Sequence, residues 1–322
     1  MRLWVWFCLS ACGFRPGTAS DGGAPGEGTP ELHDAADAMV DAGRNCVASW
    51  TTGPLHFKPR KRLANLFTTG TERDPTLSHD QLQIWFQSDR GGSGTLGGVD
   101  IWTATRASIA DDFGAPVPFN AGSSSQDDGR YFLSDDALTY VVSSNRTNTQ
   151  GGYDLWISHR AATSDTFPTA SNQVFVSAVD DGGDQYDPWI SDDGLHVYYA
   201  PNTGGQQMYT STRANNTATF TMVHAITELT IGLPTSDPFL FDAELVIVFS
   251  SHSANNVDNG THSDLWYATR AHIGDMWGSA VNLADLNTLD SDGDPWVSSD
   301  GCRLYFASAN AGDYDLYEAD VL

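Results

Sequence analysis

The stretch that decides the fold is Asp187–Gly205, whose sequence is DPWISDDGLHVYYAPNTGG. It opens with a short apolar run and continues through a Ser-Asp-Asp-Gly segment that is typical of a tight hairpin turn. After the turn, Leu195, Val197 and Tyr199 alternate with other residues, as in a strand with two different faces. The stretch therefore predicts two antiparallel strands joined by a hairpin.

The same stretch recurs at a spacing of about 55 residues, which indicates a repeat architecture. Its five copies begin at Asp74, Arg130, Asp187, Asp237 and Asp294. A second element, most often Asp-Leu-Trp or a close variant, follows in each copy and starts at Asp100, Asp154, Gln207, Asp264 and Asp315. Two elements repeating in phase predict that every copy folds into the same unit.

Each copy supplies enough chain for four strands: the hairpin pair, the Asp-Leu-Trp strand and a further short strand. Four strands in a repeat of this length are typical of a propeller blade, whose two apolar faces must be covered by neighbouring blades. The sequence predicts an all-β fold, a β-propeller with five four-stranded blades. A degenerate sixth blade remains open, although residues 44–72 are too few for four strands.

The last copy ends at Leu322 after three strands, so its fourth strand must come from elsewhere. The segment 52–67 stands before the first copy where the fourth strand of a preceding blade would stand. We expect it to complete the last blade and close the ring, which removes the free sheet edges of an open array. Cys46 and Cys302 flank this closure and could form a disulfide in an oxidising compartment, although Cys46 could also lie too far away.

The composition favours a loop-rich, acidic protein. There are 41 acidic and 16 basic residues, a net charge of −25, and most of the acids are Asp, which favours turns. Such a charge repels nucleic acids and anionic lipid surfaces, so we expect cations or basic proteins as partners. The basic run Lys58–Arg62 is the exception, and we interpret it as a solvated strand that offsets acidic surroundings rather than as a polyanion site.

The amino terminus predicts export. Residues 1–12 carry one basic residue and an apolar run too short to span a bilayer, ending in Leu-Ser-Ala-Cys. This ending resembles the lipobox of bacterial lipoproteins, which implies that Cys12 is lipidated; an ordinary secretory signal is the alternative. Residues 13–45 read as a flexible tether and 46–322 as the propeller. We therefore expect a monomer anchored to the bacterial outer membrane by lipid, or a periplasmic protein.

The full pattern, DPxxSxDGxxxxFxS followed by GxxDLW, resembles the TolB-like, WD-repeat-like propeller repeats of bacterial envelope proteins. The resemblance covers Asp74–Leu322 and implies a propeller that binds protein partners. The chain departs from TolB itself, which has an α/β domain and six blades, so the resemblance does not carry the function across.

The first residue of each repeat is the main candidate for a binding site. By the resemblance it begins the innermost strand, so Asp74, Asp187, Asp237 and Asp294, with Arg130 in the fifth place, should ring one mouth of the central channel. These carboxylates could bind a hard cation or a basic peptide, with Arg130 relieving their mutual repulsion. Alternatively, each Asp caps the turn before its own strand.

Two acidic loops are weaker candidates, in this case for calcium. Their acids recur at every second or third position, although neither loop fits the spacing of an EF-hand. The acids are Asp180, Asp181 and Asp184 in one loop and Asp290 and Asp292 in the other. No other cofactor is expected.

Nothing in the sequence matches a known catalytic motif, whether HExxH, GxSxG, a P-loop or CxxC. The recurring Trp102, Trp156 and Trp266 favour packing between blades over stacking on sugars. We expect a non-enzymatic scaffold that binds an envelope protein or a basic peptide. The alternative is a glycosidase-like five-bladed propeller, for which Glu228 and Glu244 are the only mid-body candidates for a glutamic acid catalyst.

Overall fold

The structure is a computed structural model that describes residues 44–147, 152–202, 207–232, 234–253, 261–310 and 312–322. Cys12 and the tether up to residue 43 lie outside the described residues. Within these ranges the chain forms five four-stranded antiparallel sheets arranged as a five-bladed propeller. The predicted fold class and blade number are confirmed.

The blades follow the five repeats in order. Blade I consists of β2 (Glu72–Leu77), β3 (Gln83–Ser88), β4 (Asp100–Thr105) and β5 (Val117–Pro118). Blade II consists of β6 (Asp128–Leu133), β7 (Thr139–Ser144), β8 (Asp154–His159) and β9 (Val174–Phe175). Blade III consists of β10 (Gln185–Ile190), β11 (His196–Pro201), β12 (Tyr209–Thr212) and β13 (Thr221–Ala225). Blade IV consists of β14 (Thr235–Phe241), β15 (Val246–Ser251), β16 (Asp264–Thr269) and β17 (Val281–Asn282). Blade V consists of β18 (Asp292–Val297), β19 (Arg303–Asn310), β20 (Asp313–Asp320) and β1 (Lys61–Arg62).

Helical structure is confined to short segments in the described residues. They are α1 (Ser49–Thr52) and two 3₁₀ turns, Ala170–Asn172 and Thr227–Leu229. No helix in the part of the chain that the structure describes is long and apolar enough to cross a membrane.

The ring closes as the sequence predicted. Strand β1 pairs antiparallel with β20, with Lys61 opposite Glu318, and a bridge joins Phe57 to Val321. The basic run that contains β1 is neutralised by acids of blade V: Arg60 contacts Asp292, and further pairs are Lys58–Asp320, Arg62–Asp315 and Lys61–Glu318. The run therefore attaches the closing strand to an acidic blade.

A disulfide reinforces the closure. Cys46 and Cys302 are bonded, with their Cα atoms 4.9 Å apart. Beside it, Trp50 is 1% exposed and its Nε1 donates to the carbonyl of Gly301 at 2.9 Å. The Trp50 ring also packs edge-on against Tyr267 of blade IV. The segment before β1 is thus fixed to both of the last two blades.

Aromatic side chains fill the middle of the central channel. The residue two positions after the start of each repeat is aromatic in four blades: Phe132, Trp189, Phe239 and Trp296. Phe132 and Phe239 come from blades that are not neighbours, yet their ring centroids lie 6.0 Å apart. The rings therefore meet across the channel and separate its two mouths.

The tryptophans of the third strands serve in packing. Trp102 and Trp266 are buried, and the Arg90 guanidinium lies over the Trp102 ring at 5.2 Å. Trp156 carries the Arg146 guanidinium in the same way, at 5.2 Å. The Trp102 and Trp156 rings therefore pair with cations of their own blades, and Trp266 is buried.

Candidate functional site

The structure places the five repeat-starting residues around one small cavity at a mouth of the channel. Asp74, Arg130, Asp187, Asp237 and Asp294 all line it. The cavity has a volume of about 40 Å³, enough for only a few water-sized groups. We call this end of the channel the aspartate mouth.

A repeated backbone distortion directs these residues into the mouth. All five have positive φ, between 50° and 55°, in the left-handed region that residues other than glycine rarely adopt. In each blade the register of the first strand pair shifts at this residue; in blade I the shift falls between Arg73 and Thr76. This is a β-bulge, which re-aims a side chain. Asp tolerates the left-handed region better than Arg, so Arg130 carries the largest share of the strain.

Two arginines neutralise two of the four aspartates. Arg73 binds Asp294 through two hydrogen bonds, Nε to Oδ2 at 2.8 Å and Nη2 to Oδ1 at 3.1 Å. Arg130 donates from Nε to Oδ1 of Asp187 at 2.5 Å. Sequence reasoning anticipated the pairing of Arg130 but missed Arg73, which adjoins Asp74 and has no basic equivalent in the other copies.

The remaining two aspartates have no arginine of their own. Oδ2 of Asp74 is buried and has no hydrogen-bond partner in the described residues. Asp237 accepts hydrogen bonds from the Ser250 hydroxyl and, at 3.4 Å, from the backbone N–H of Asp294. Four carboxylates thus face two guanidinium groups, which leaves the mouth short of positive charge.

Burial, together with the neighbouring carboxylates, raises the pKa values of Asp74 and Asp237. Desolvation, followed by the charge of Asp294, raises the pKa of Asp74 well above its usual value, although Arg130 and Arg73 act in the opposite direction. Desolvation also raises the pKa of Asp237, with the charges of Asp187 and Asp294 adding to it. The mouth therefore combines two ion-paired carboxylates with two that hold their protons to higher pH.

Residues other than the channel aspartates cap the turns. Glu72, two positions before Asp74, accepts from the backbone N–H of Thr68 at 2.9 Å. Asp292 accepts from the backbone N–H of Thr288 at 2.6 Å, and Asp128 likewise accepts from that of Ser124. The buried acid that begins these strands caps the preceding loop, which frees the aspartate two residues later to face the channel.

The carboxylates of the first acidic loop accept hydrogen bonds from backbone N–H groups. Asp180 accepts from the N–H of Gly182 at 2.9 Å, and Asp181 from that of Gly183 at 3.0 Å. Asp184 accepts from the N–H of Tyr153 at 2.9 Å.

The second loop contains Asp290 and Asp292. The N–H of Asp290 donates to Thr288 Oγ1 at 3.2 Å, while Asp292 pairs with Arg60. Within the described ranges, no group of three or more His, Cys, Asp or Glu side chains is arranged to hold a metal ion. Calcium binding stays a prediction.

Neither mid-body glutamate lines the aspartate mouth. Glu228 accepts from the backbone N–H of Trp277 at 3.3 Å. Glu244 contacts His196 at 2.7 Å and Arg270 at 3.5 Å, close to the opposite mouth.

No family model matches this chain, and no curated protein is significantly similar to it in sequence. Solved structures resemble it in fold. A thermostable family-43 glycoside hydrolase is 13% identical, with a TM-score of 0.55, over 81% of this chain and 93% of its own. The α-L-arabinofuranosidase of Podospora anserina, in complex with cellotriose, is 10% identical, with a TM-score of 0.55, over 84% and 98%.

A putative TolB from Agrobacterium tumefaciens is 13% identical over 84% of this chain and 89% of its own, with a TM-score of 0.46. At these identities, the likeness to the two glycoside hydrolases establishes the propeller fold alone.

Proposed function

We propose that this chain is a non-enzymatic protein of the bacterial cell envelope whose propeller binds a protein partner at the aspartate mouth, taking up a basic side chain of that partner. The observation that carries the proposal is the shortage of positive charge in the mouth, where four carboxylates face two guanidinium groups. Asp74 Oδ2 is buried without a hydrogen-bond donor in the described residues, and Asp237 has no arginine of its own. A lysine ammonium would supply both the donor and the charge.

The size and charge of the mouth agree with this occupant. A cavity of about 40 Å³ admits an ammonium group but not a sugar ring. The net charge of −25 attracts basic surfaces and speeds their encounter. A basic side chain entering the mouth would be fixed by carboxylates that the bulges already hold in place, so little ordering is needed on binding.

The proposed location is the outer membrane or the periplasm, with Cys12 lipidated, residues 13–45 acting as a tether and the propeller a monomer. The Cys46–Cys302 bond supports an oxidising compartment, where disulfides persist. Metabolic labelling with a fatty acid tests the anchor: the label should enter the native protein and be lost in Cys12→Ala.

Crosslinking in native envelopes tests the binding function. A short lysine-reactive crosslinker should join a partner to the native protein, and Asp74→Asn/Asp237→Asn should lose that partner. Asp112→Asn is the matched control, because Asp112 is an exposed aspartate outside the mouth, paired only with exposed Lys61 in the described residues. Retention of the same partner by the double variant would refute the role of the mouth.

A glycosidase is the second candidate, and one observation favours it. Asp74 and Asp237, whose pKa values are raised, stand beside the ion-paired Asp187 and Asp294, and glycosidases use one protonated and one ionised carboxyl. The glycosidase is the second candidate because Arg73 and Arg130 already pair with two of the carboxylates and because the cavity is too small for a sugar ring. Hydrolysis of a polysaccharide panel by the purified protein, abolished in Asp187→Asn or Asp294→Asn, would reverse the order.

A further inference from the structure

The opposite mouth of the channel holds a second and much larger cavity. Its volume is about 500 Å³, within the range of small-molecule sites. The ends of the innermost strands and the hairpin turns that follow them form its wall. Because the aromatic rings meet across the channel, this cavity is separate from the aspartate mouth. We call it the turn-side pocket.

The inner surface of the turn-side pocket is apolar. Trp189 and Trp296 form part of it and are 6% and 4% exposed. Leu77, Leu240 and Val297 add aliphatic surface, and all three are buried. A ligand with an aromatic or aliphatic body would gain contact area there without new side chains having to be ordered.

The rim of the turn-side pocket is acidic. Among its acids, Asp193 is engaged by Ser191 and the N–H of Leu195, and Glu244 by His196 and Arg270. Asp135 contacts His79. Among the described residues, no Lys or Arg lines the cavity.

Two rim carboxylates remain open to a cation. Asp192 accepts the backbone N–H of Asp135 at 2.8 Å and pairs with no cation in the described residues. Asp242 stands on the turn of blade IV, where Asp242, Ala243 and Glu244 all have positive φ, unlike the turns of the other blades. This unusual turn brings Phe241 and Asp242 to the same side of the pocket.

We infer that the turn-side pocket binds a small organic amine with an apolar body. The body would lie on the tryptophans and aliphatic side chains, and the ammonium would face Asp192 and Asp242. This site does not depend on the function proposed for the aspartate mouth.

Calorimetric titration with matched compounds tests the site. Tyramine carries a ring and an ammonium group, tyrosol replaces the ammonium by a hydroxyl, and phenethylamine keeps the ring and the ammonium without the phenolic oxygen. We expect both amines to bind about tenfold more tightly than tyrosol, because only an ammonium group makes a charge-assisted hydrogen bond to the rim carboxylates.

Variants assign the contacts. Asp192→Asn should lower the affinity for tyramine about tenfold and leave tyrosol unchanged, as expected for one charge-assisted contact. Asp112→Asn is the control and should bind like the native protein.

Three results would overturn the inference. These are failure of tyramine, phenethylamine and hexylamine alike to bind, equal binding of tyramine and tyrosol, and full tyramine affinity in Asp192→Asn/Asp242→Asn. Asp192 is exposed, whereas Asp242 is half-buried with a φ of 52° that Asn tolerates, so the melting temperature of the double variant establishes that it folds.

Discussion

Asp74 and Asp237 are aspartates whose surroundings disfavour their charge. Each lies in a left-handed bulge, faces other carboxylates and has no arginine of its own. Selection for stability alone would place a neutral residue at such positions, since a buried unpaired charge is costly. Their presence fits a site that binds a positively charged group.

This electrostatic cost predicts a pH dependence. A carboxyl whose pKa is raised in the folded state binds its proton more tightly there than in the unfolded chain. Its contribution to the free energy of unfolding is therefore greatest below the unfolded pKa of about 3.9 and falls as pH rises through the folded pKa.

Asp74→Asn should remove this fall in the free energy of unfolding with rising pH. It should match the native protein near pH 4 and exceed it at neutral pH by about 1 kcal/mol, or about 1–4 °C in melting temperature. Asn suits the left-handed backbone, so the bulge survives. Urea unfolding from pH 4 to 8 measures the difference; a difference that does not change with pH would contradict the assignment. Asp112→Asn should show no trend.

The sequence predicted where the residues of the aspartate mouth lie, but not their backbone conformation, their pairing or their pKa values. The repeat register located all five residues of the aspartate mouth. The left-handed backbone, the bidentate pairing of Arg73 and the raised pKa values depend on contacts between blades distant in sequence, so no local pattern could reveal them.

Four of the five hairpins share one hydrogen-bond network, which explains the Ser-x-Asp element of the repeat. In blade III the Ser191 hydroxyl donates to Asp193 at 2.6 Å, and Asp193 accepts from the N–H of Leu195 at 2.9 Å. The corresponding serine–aspartate pairs are Ser78–Asp80, Ser134–Asp136 and Ser298–Asp300. Blade IV has Phe241 in place of the serine and adopts a different turn.

The residue after the aspartate of this network has a positive φ. Exchanging Ala and Gly at two equivalent positions should therefore change the stability in opposite directions. Ala137 has φ of 56° and Gly194 has φ of 70°. Ala137→Gly should stabilise the protein by about 1 kcal/mol, because a Cβ atom disfavours the left-handed region. Gly194→Ala should destabilise it by at least as much, since its Cβ would lie 2.6 Å from Asn216 Oδ1.

Thermal unfolding of both variants measures the pair. Destabilisation by Ala137→Gly would show that the entropy gained by the unfolded chain outweighs the relief of strain.

Strand lengths were less predictable than turns. The outer strands of blades I, II and IV contain only two residues each, because the outer edge is fixed by few contacts.

The molecule as a whole is held together by its closure. Blade V combines strands from both ends of the described body, and a disulfide spanning 256 residues secures it. The sequence predicted this closure because the last repeat lacked one strand. It could not predict whether Cys46 reaches Cys302, since that depends on where the chain before β1 returns to the body.

Removing the disulfide should weaken the whole ring. We expect Cys46→Ala/Cys302→Ala to lose about 2–5 kcal/mol of unfolding free energy, since the bond constrains a very long loop of the unfolded chain. Thermal melting of the native protein should fall to the level of the variant on addition of reductant, and the variant should not respond to it. A native protein insensitive to reductant would contradict the stabilising role.

Because β1 closes the ring, the propeller does not require its chain to begin at blade I. The N–H of Leu322 donates to the carbonyl of His56 at 2.8 Å, so the end of the chain lies against the segment that leads into β1. A short peptide could join these two points, and the chain could then be opened in a loop between other blades. Such circularly permuted forms should retain both mouths, and any form that splits one repeat between its ends would again close by pairing a first strand with a last.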